Sequence, residues 1–162
     1  MRVLPKDSGP RLTIATDGAA RGNPGPAGIG VVVTDSDGRV VAEVGEAIGR
    51  ATNNVAEYRA VIRGLELAAE HGAREVLVRS DSRLLVEQLS GRFKVKNAIL
   101  RRLHQQATTL LGHFDDAQIE HVPREFNADA DHLANLGIDQ ANRSLDYPAE
   151  DPGTLFDEAG ED

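Results

Sequence analysis

The sequence predicts an α/β fold, a mixed five-stranded sheet flanked by helices in the order βββ-α-β-α-α-β-α. Two observations carry this. Three β-rich runs precede Asn54, where the apolar period changes from two to about 3.6 residues. Two further short apolar runs then alternate with helical stretches, and right-handed crossovers place such strands parallel to the first. A length of 162 residues suits one domain with its own core, and neither an internal repeat nor a second domain is visible.

Leu12-Thr13-Ile14-Ala15-Thr16 alternates and runs into Asp17-Gly18, which reads as a strand ending at a turn. Residues 19–27 are rich in Gly and Pro and read as loop. Residues 29–33 and 40–44 are β-branched runs joined across Asp37-Gly38, a hairpin signal. From Asn54 onward Val61, Leu65 and Ala68 share a helical stripe, and Gly72 closes that helix after His71. Residues 75–79 form a short strand, and 82–89 a short helix ended by Gly91. A longer helix over 98–111 follows Asn97, with Leu100, Leu103, Ala107 and Leu110 on one side. Residues 117–122 and 128–141 supply the last strand and the last helix.

The absence of cysteine excludes disulfides, thiolate nucleophiles and Cys-ligated zinc. No run of about 18 apolar residues exists, and the start MRVLPKDSGPR lacks the apolar stretch of a signal peptide. A soluble, cytoplasmic monomer with no membrane partner is expected. The net charge of −8 argues at face value against a nucleic-acid partner. It is unevenly spread, however. Residues 1–138 hold 18 acids and 17 bases, while the remainder holds eight acids against Arg143 alone. Residues 1–11 therefore read as an extension, 12–141 as the folded domain and 142–162 as an acidic, disordered tail. Within that tail Leu155-Phe156 suits a short motif for a protein partner. Between Gln88 and Phe114 there is no acid at all, but Arg92, Lys94, Lys96, Arg101 and Arg102 are present. Read alone, that cluster is a solvated face.

Four carboxylates fall at element ends. Asp17 ends the first strand and Asp81 follows the fourth, so both reach the carboxyl edge where open α/β sheets place ligands. Glu57 lies in the first turn of the first long helix, on its buried stripe, and Asp131 holds an equivalent place in the last helix. Each also has a purely structural reading. Asp17 suits a turn, Glu57 a capping box with Asn54, Asp81 an N-cap, and Asp131 a helix N-terminus. Together they would crowd four negative charges, which costs stability unless cations occupy the cluster. Oxygen ligands without Cys or clustered His suit Mg²⁺ or Mn²⁺.

The stretches TDGAARGNPGPAG (16–28), TNNVAEYRAVIRGLELA (52–68), VRSDSRLLVEQLSG (78–91) and VPREFNADADHLAN (122–135) resemble the type 1 ribonucleases H, in order and across nearly all of 12–138. The resemblance implies a ribonuclease H-like fold and an Asp-Glu-Asp-Asp quartet carried by Asp17, Glu57, Asp81 and Asp131, with Gly18 beside them in the metal set. It implies two Mg²⁺ ions, with Mn²⁺ as a substitute, and hydrolysis of the RNA strand of an RNA–DNA hybrid to 5′-phosphate and 3′-hydroxyl ends. The register of the last motif selects Asp131 over Asp129, which is expected to be exposed.

The same resemblance implies that Gly22, Asn23, Asn53 and Asn54 read the 2′-hydroxyls, a task asparagine suits because it both donates and accepts. Lys94, Lys96 and Asn97 match positions that touch the phosphates of the DNA strand. Phe93 matches a position often held by Trp, and its structural reading is core packing. Two departures point to the short, archaeal-like subgroup: the segment after Gly91 is too short for a full basic handle, and no His lies between Val122 and Asp131. Arg124 occupies that loop instead and suits phosphate contact or product release, since it stays protonated. The competing readings are a catalytically silent hybrid-binding module of the same fold, and another nuclease of the superfamily.

Overall fold

The structure is a computed structural model that describes residues 10–145. The extension before residue 10 and the acidic segment after residue 145, Leu155-Phe156 included, lie outside the described residues. The strands are β1 (Arg11–Ala20), β2 (Gly25–Thr34), β3 (Val40–Ala51), β4 (Glu75–Ser80) and β5 (Asp116–His121). The helices are α1 (Asn53–Glu70), α2 (Arg83–Leu89), α3 (Ala98–Leu111) and α4 (Ala128–Leu145), with a 3₁₀ turn at Arg124–Phe126. This is the expected element order. The sheet runs β3-β2-β1-β4-β5. β1 pairs antiparallel with β2 and β2 with β3, while β1, β4 and β5 are mutually parallel.

Side chains of β2 alternate between two covered faces, so nearly the whole strand is buried. Val31 lies against α1, near Gly64 and beside Ile14 of β1. Its neighbour Gly30 lies against α4, where an added Cβ would sit 1.9 Å from the Ala130 carbonyl oxygen. Gly28 and Gly45 meet the same helix backbone at Ala134 and Leu133. The absence of side chains along this seam is what lets α4 settle directly onto the sheet. On the other face Ile14, Val33, Val61, Leu65 and Val78 are fully excluded from solvent and form the main core.

Several boundaries differ from the sequence reading, among them that of β3, read as 40–44 and running on to Ala51. The Gly/Pro-rich stretch is mostly strand rather than loop: Ala20 pairs with Ala27, and Arg21 N–H donates to Pro26 O at 2.8 Å. The antiparallel ladder overrides local composition, leaving only residues 21–24 as the connection. Asp17 accordingly sits within β1 opposite Gly30, not at a turn. Helix α4 continues past Ala141 to Leu145, and Asp139, counted at first with the acidic tail, binds Arg21 at 2.7 Å. The turn at Asp37-Gly38 forms as expected, with Asp35 Oδ1 accepting from the Asp37 and Arg39 amides.

Candidate active site

Thr16 and Ser80 are the last residues paired between the parallel strands β1 and β4. One residue further along each chain stand Asp17 and Asp81, so the register alone sets two carboxylates side by side at the carboxyl edge. Asp17 stays in the sheet and is buried. Asp81 lies where the chain leaves for α2. The N-cap of that helix is Ser82, whose hydroxyl accepts from Leu85 N–H at 3.2 Å. The capping role open to Asp81 is therefore filled by its neighbour.

The third carboxylate arrives from α1. This helix starts one residue earlier than expected, capped by the Thr52 hydroxyl, which accepts from Val55 N–H at 3.2 Å. Asn54 is thus inside the first turn, and the capping box with Glu57 does not form. Glu57 instead accepts from the Gly18 amide through Oε1 at 3.2 Å. An added Cβ at Gly18 would stand 2.2 Å from the Ala56 carbonyl carbon and 2.4 Å from Glu57 N. Only glycine lets the first turn of α1 approach β1 this closely, and that approach carries Glu57 to Asp17.

Asp17, Glu57 and Asp81 each offer an oxygen, and the three atoms lie within 4.8 Å of one another. Asp131, in the first turn of α4, lies near enough to act on Asp17, although it is not among the three clustered oxygens. Burial, then the charge of Asp81 and the hydrogen-bonding and charge of Asp131, push the Asp17 carboxyl up to about 8. Burial, followed by the charges of Asp17 and Asp81, holds Glu57 well above the ordinary carboxylate range. Arg124, exposed on the 3₁₀ turn, opposes both shifts with its positive charge. Asp17 and Glu57 thus hold a proton more tightly than ordinary carboxyls, and the cluster's donors are all carboxylate oxygens. That chemistry fits a hard divalent cation.

Two asparagines that the sequence reading passed over support the acids. Asn127 is 2% exposed. Its Nδ2 donates to Thr16 O at 2.9 Å and to Asp81 Oδ2 at 3.3 Å. Asn135 donates to Asp131 O at 3.1 Å and to Asp131 Oδ1 at 3.4 Å. It also accepts from Arg21 at 3.1 Å. Both stand in the motif around Asp131, and an amide donor near a cluster of acids was the available signal. Asp129 is exposed, as expected.

The β1–β2 connection packs on the start of α1. Asn53 Oδ1 accepts from Ala20 N–H at 3.0 Å, and Asn23 Oδ1 accepts from Asn53 N–H at 2.9 Å. Both side-chain oxygens are thereby engaged, while their amide N–H groups have no partner among the described residues. Asn54 is exposed beside them, and Gly22 holds φ at 102° at the tip. Lys94 and Lys96 are exposed between α2 and α3, and neither forms an ion pair among the described residues. No helix intervenes between α2 and α3, as the short handle segment implied. The Asn97 side chain caps α3, accepting from Leu100 N–H at 3.0 Å. Phe93 is 50% exposed, which overturns its core-packing reading: residues 90–97 carry it away from the core as they cross to α3. Gln88, also missed, accepts from the Tyr58 hydroxyl at 2.6 Å and donates to Lys94 O at 3.4 Å. It ties the basic segment to the residue following Glu57. Burial pushes the Tyr58 hydroxyl up to about 12, so it remains a donor.

A family profile described as reverse transcriptase-like matches residues 15–137. Ribonuclease HI of Halobacterium salinarum is 49% identical over 139 residues, which are 86% of this chain and 70% of the relative. The chain belongs to the ribonuclease H family. A bifunctional protein of Mycobacterium tuberculosis is 52% identical over 146 residues, and the chain spans only 40% of its length. The solved N-terminal RNase H domain of that protein superposes with a TM-score of 0.81 at 51% identity, covering 85% of this chain and 99% of that one. Another family member, LC11-RNase H1, solved in complex with an RNA/DNA hybrid, superposes with a TM-score of 0.77 at 46% identity, covering 80% and 98%. Residues 12–138, where the ribonuclease H motifs lie, fall almost wholly within the family match.

Proposed function

We propose that this chain is an endoribonuclease that hydrolyses the RNA strand of RNA–DNA hybrids, leaving 5′-phosphate and 3′-hydroxyl ends. The observation that carries the reading is the convergence of Asp17, Glu57 and Asp81 within 4.8 Å, with Asp131 near enough to raise the Asp17 carboxyl. It is supported by the 46% identity to a family member solved on such a hybrid. Asp17, Glu57, Asp81 and Asp131, with Gly18 beside them, would hold Mg²⁺, with Mn²⁺ as a substitute. When bound, a pair of such ions supplies a deprotonated water at neutral pH and Lewis acidity at the scissile phosphate.

The chain's own residues do the remaining work. Asp17 and Glu57 would contribute metal-binding oxygens rather than a nucleophile. Gly18 N–H fixes one oxygen of Glu57 and leaves the other for coordination. Arg124 stays protonated, so it contacts phosphate or aids product departure and does not abstract a proton. Asn23, Asn53 and Asn54 present amide donors to 2′-hydroxyls, with Gly22 giving the close approach, and this tells the RNA strand from the DNA strand. Lys94, Lys96 and the amide of Asn97 meet the phosphates of the other strand. The catalytic unit runs from residue 12 to the end of α4 at Leu145 and acts as a cytoplasmic monomer, with the acidic stretch beyond it open to a protein partner.

The test is cleavage of end-labelled RNA–DNA hybrid, double-stranded RNA and double-stranded DNA, each with Mg²⁺ or EDTA. Cleavage of the RNA strand of the hybrid, abolished by EDTA, is expected. Cleavage that survives EDTA, or none on the hybrid, contradicts the reading.

A further inference from the structure

Asn127 is almost entirely buried, yet its side-chain oxygen has no hydrogen-bond partner among the described residues. Leaving a buried acceptor unsatisfied costs stability, and an apolar side chain of similar size would fill the space without that cost. What the amide supplies is its NH₂ group. One contact goes to the Thr16 carbonyl, on the residue before Asp17, and the other to the Asp81 carboxylate. The backbone of the same residue closes the site from the other side. Asn127 N–H donates to Arg124 O at 2.9 Å, and Asn127 O accepts from Asp131 N–H at 3.1 Å. One residue therefore touches β1, the start of α2, the 3₁₀ turn and the first turn of α4.

We propose that Asn127 is a positioning residue of the metal site, which fixes the Asp81 carboxylate against β1 and sets Asp131 and Arg124 in register with it. The inference rests on the reading of the acidic cluster as a divalent-cation site. Groups that orient a metal ligand through a hydrogen bond commonly change metal affinity or activity by about 10–100-fold when removed. The Asn127 side chain acts through Asp81, and its contact with Arg124 is made by the backbone, which a substitution to Ala preserves. Its loss should therefore weaken metal binding and leave the KM for hybrid unchanged once Mg²⁺ is saturating.

The experiment uses the full chain with no nucleic acid present, titrating Mn²⁺ into wild type and Asn127→Ala by calorimetry. Hybrid cleavage is then measured across a Mg²⁺ series. Asn127→Ala should bind Mn²⁺ about tenfold or more weakly and need correspondingly more Mg²⁺ for half-maximal rate, with the KM for hybrid unchanged at saturating Mg²⁺. Asp81→Asn and the double variant complete a cycle in which removing Asn127 adds little once the Asp81 charge is gone. If Asn127→Ala does not fold, Asn127→Leu, which fills a similar volume without a donor, carries the same comparison. A variant with a lowered Tm but wild-type Mn²⁺ affinity and Mg²⁺ dependence overturns the proposal, because Asn127 would then be structural only. A raised KM with unchanged metal binding overturns it as well. Wild type that binds no Mn²⁺ removes the metal-site reading itself, and the proposal with it.

Discussion

At the scale of the residue, the site is a balance between burial and charge. Asp17 pairs in the middle of a sheet, and its carboxyl is pushed from an ordinary 3.8 up to about 8. A folded-state value above the unfolded one means that the folded protein holds the proton more tightly. The stability this gives is complete below about pH 4 and is lost as the pH rises through about 8. In EDTA the Tm should therefore fall across that window, and Glu57, shifted in the same direction, should deepen the fall. Asp17→Asn should flatten the curve, and saturating Mg²⁺ should remove most of the slope, because the cation replaces the protons. Thermal melts at half-unit pH steps check this; a Tm in EDTA that is level or rises over the window contradicts it.

At the scale of the element, backbone approach decides whether the carboxylates meet. Gly18 lets the first turn of α1 press against β1, so Gly18→Ala should cost about 1–3 kcal/mol of stability from overpacking and also displace Glu57. Denaturant unfolding together with a Mg²⁺ titration of activity measures both effects; wild-type values for each would mean that the close approach does not position the site. The same element shows what was legible in the sequence. The four acids stood out because periodicity placed Glu57, Asp81 and Asp131 near element starts or ends, and Asp17 at a strand end that the ladder carries on to Ala20. The supporting amides did not, because a partner such as Thr16 lies 111 residues from Asn127 in the chain and is found only through the packing of α4. Composition misled at residues 19–27, where ladder pairing with β2 outweighs the local preference of Gly and Pro. The capping box was a sound local pattern, but it lost to Thr52 and to the Gly18 amide.

At the scale of the whole molecule, the net charge of −8 divides into −1 over residues 1–145 and −7 beyond them. Two divalent cations in the acidic cluster would bring the first part to about +3. Affinity for the hybrid should thus rise with divalent cation. Truncation after Leu145 should tighten binding at low salt, with the gain fading above about 0.2 M as screening takes over. Fluorescence anisotropy at several salt concentrations reads this out, and a truncation that weakens binding would assign the segment an active part in holding the substrate. The central claim is narrower: the crowded carboxylates exist to carry divalent cations that cut RNA. Its most direct measurement is single-turnover cleavage of labelled hybrid in Mg²⁺ by wild type and Asp17→Asn, with Tm measured alongside. The account predicts a rate loss well beyond the about 10–100-fold typical of outer partners, in a variant at least as stable as wild type in EDTA. A variant that folds and cleaves at the wild-type rate would contradict it.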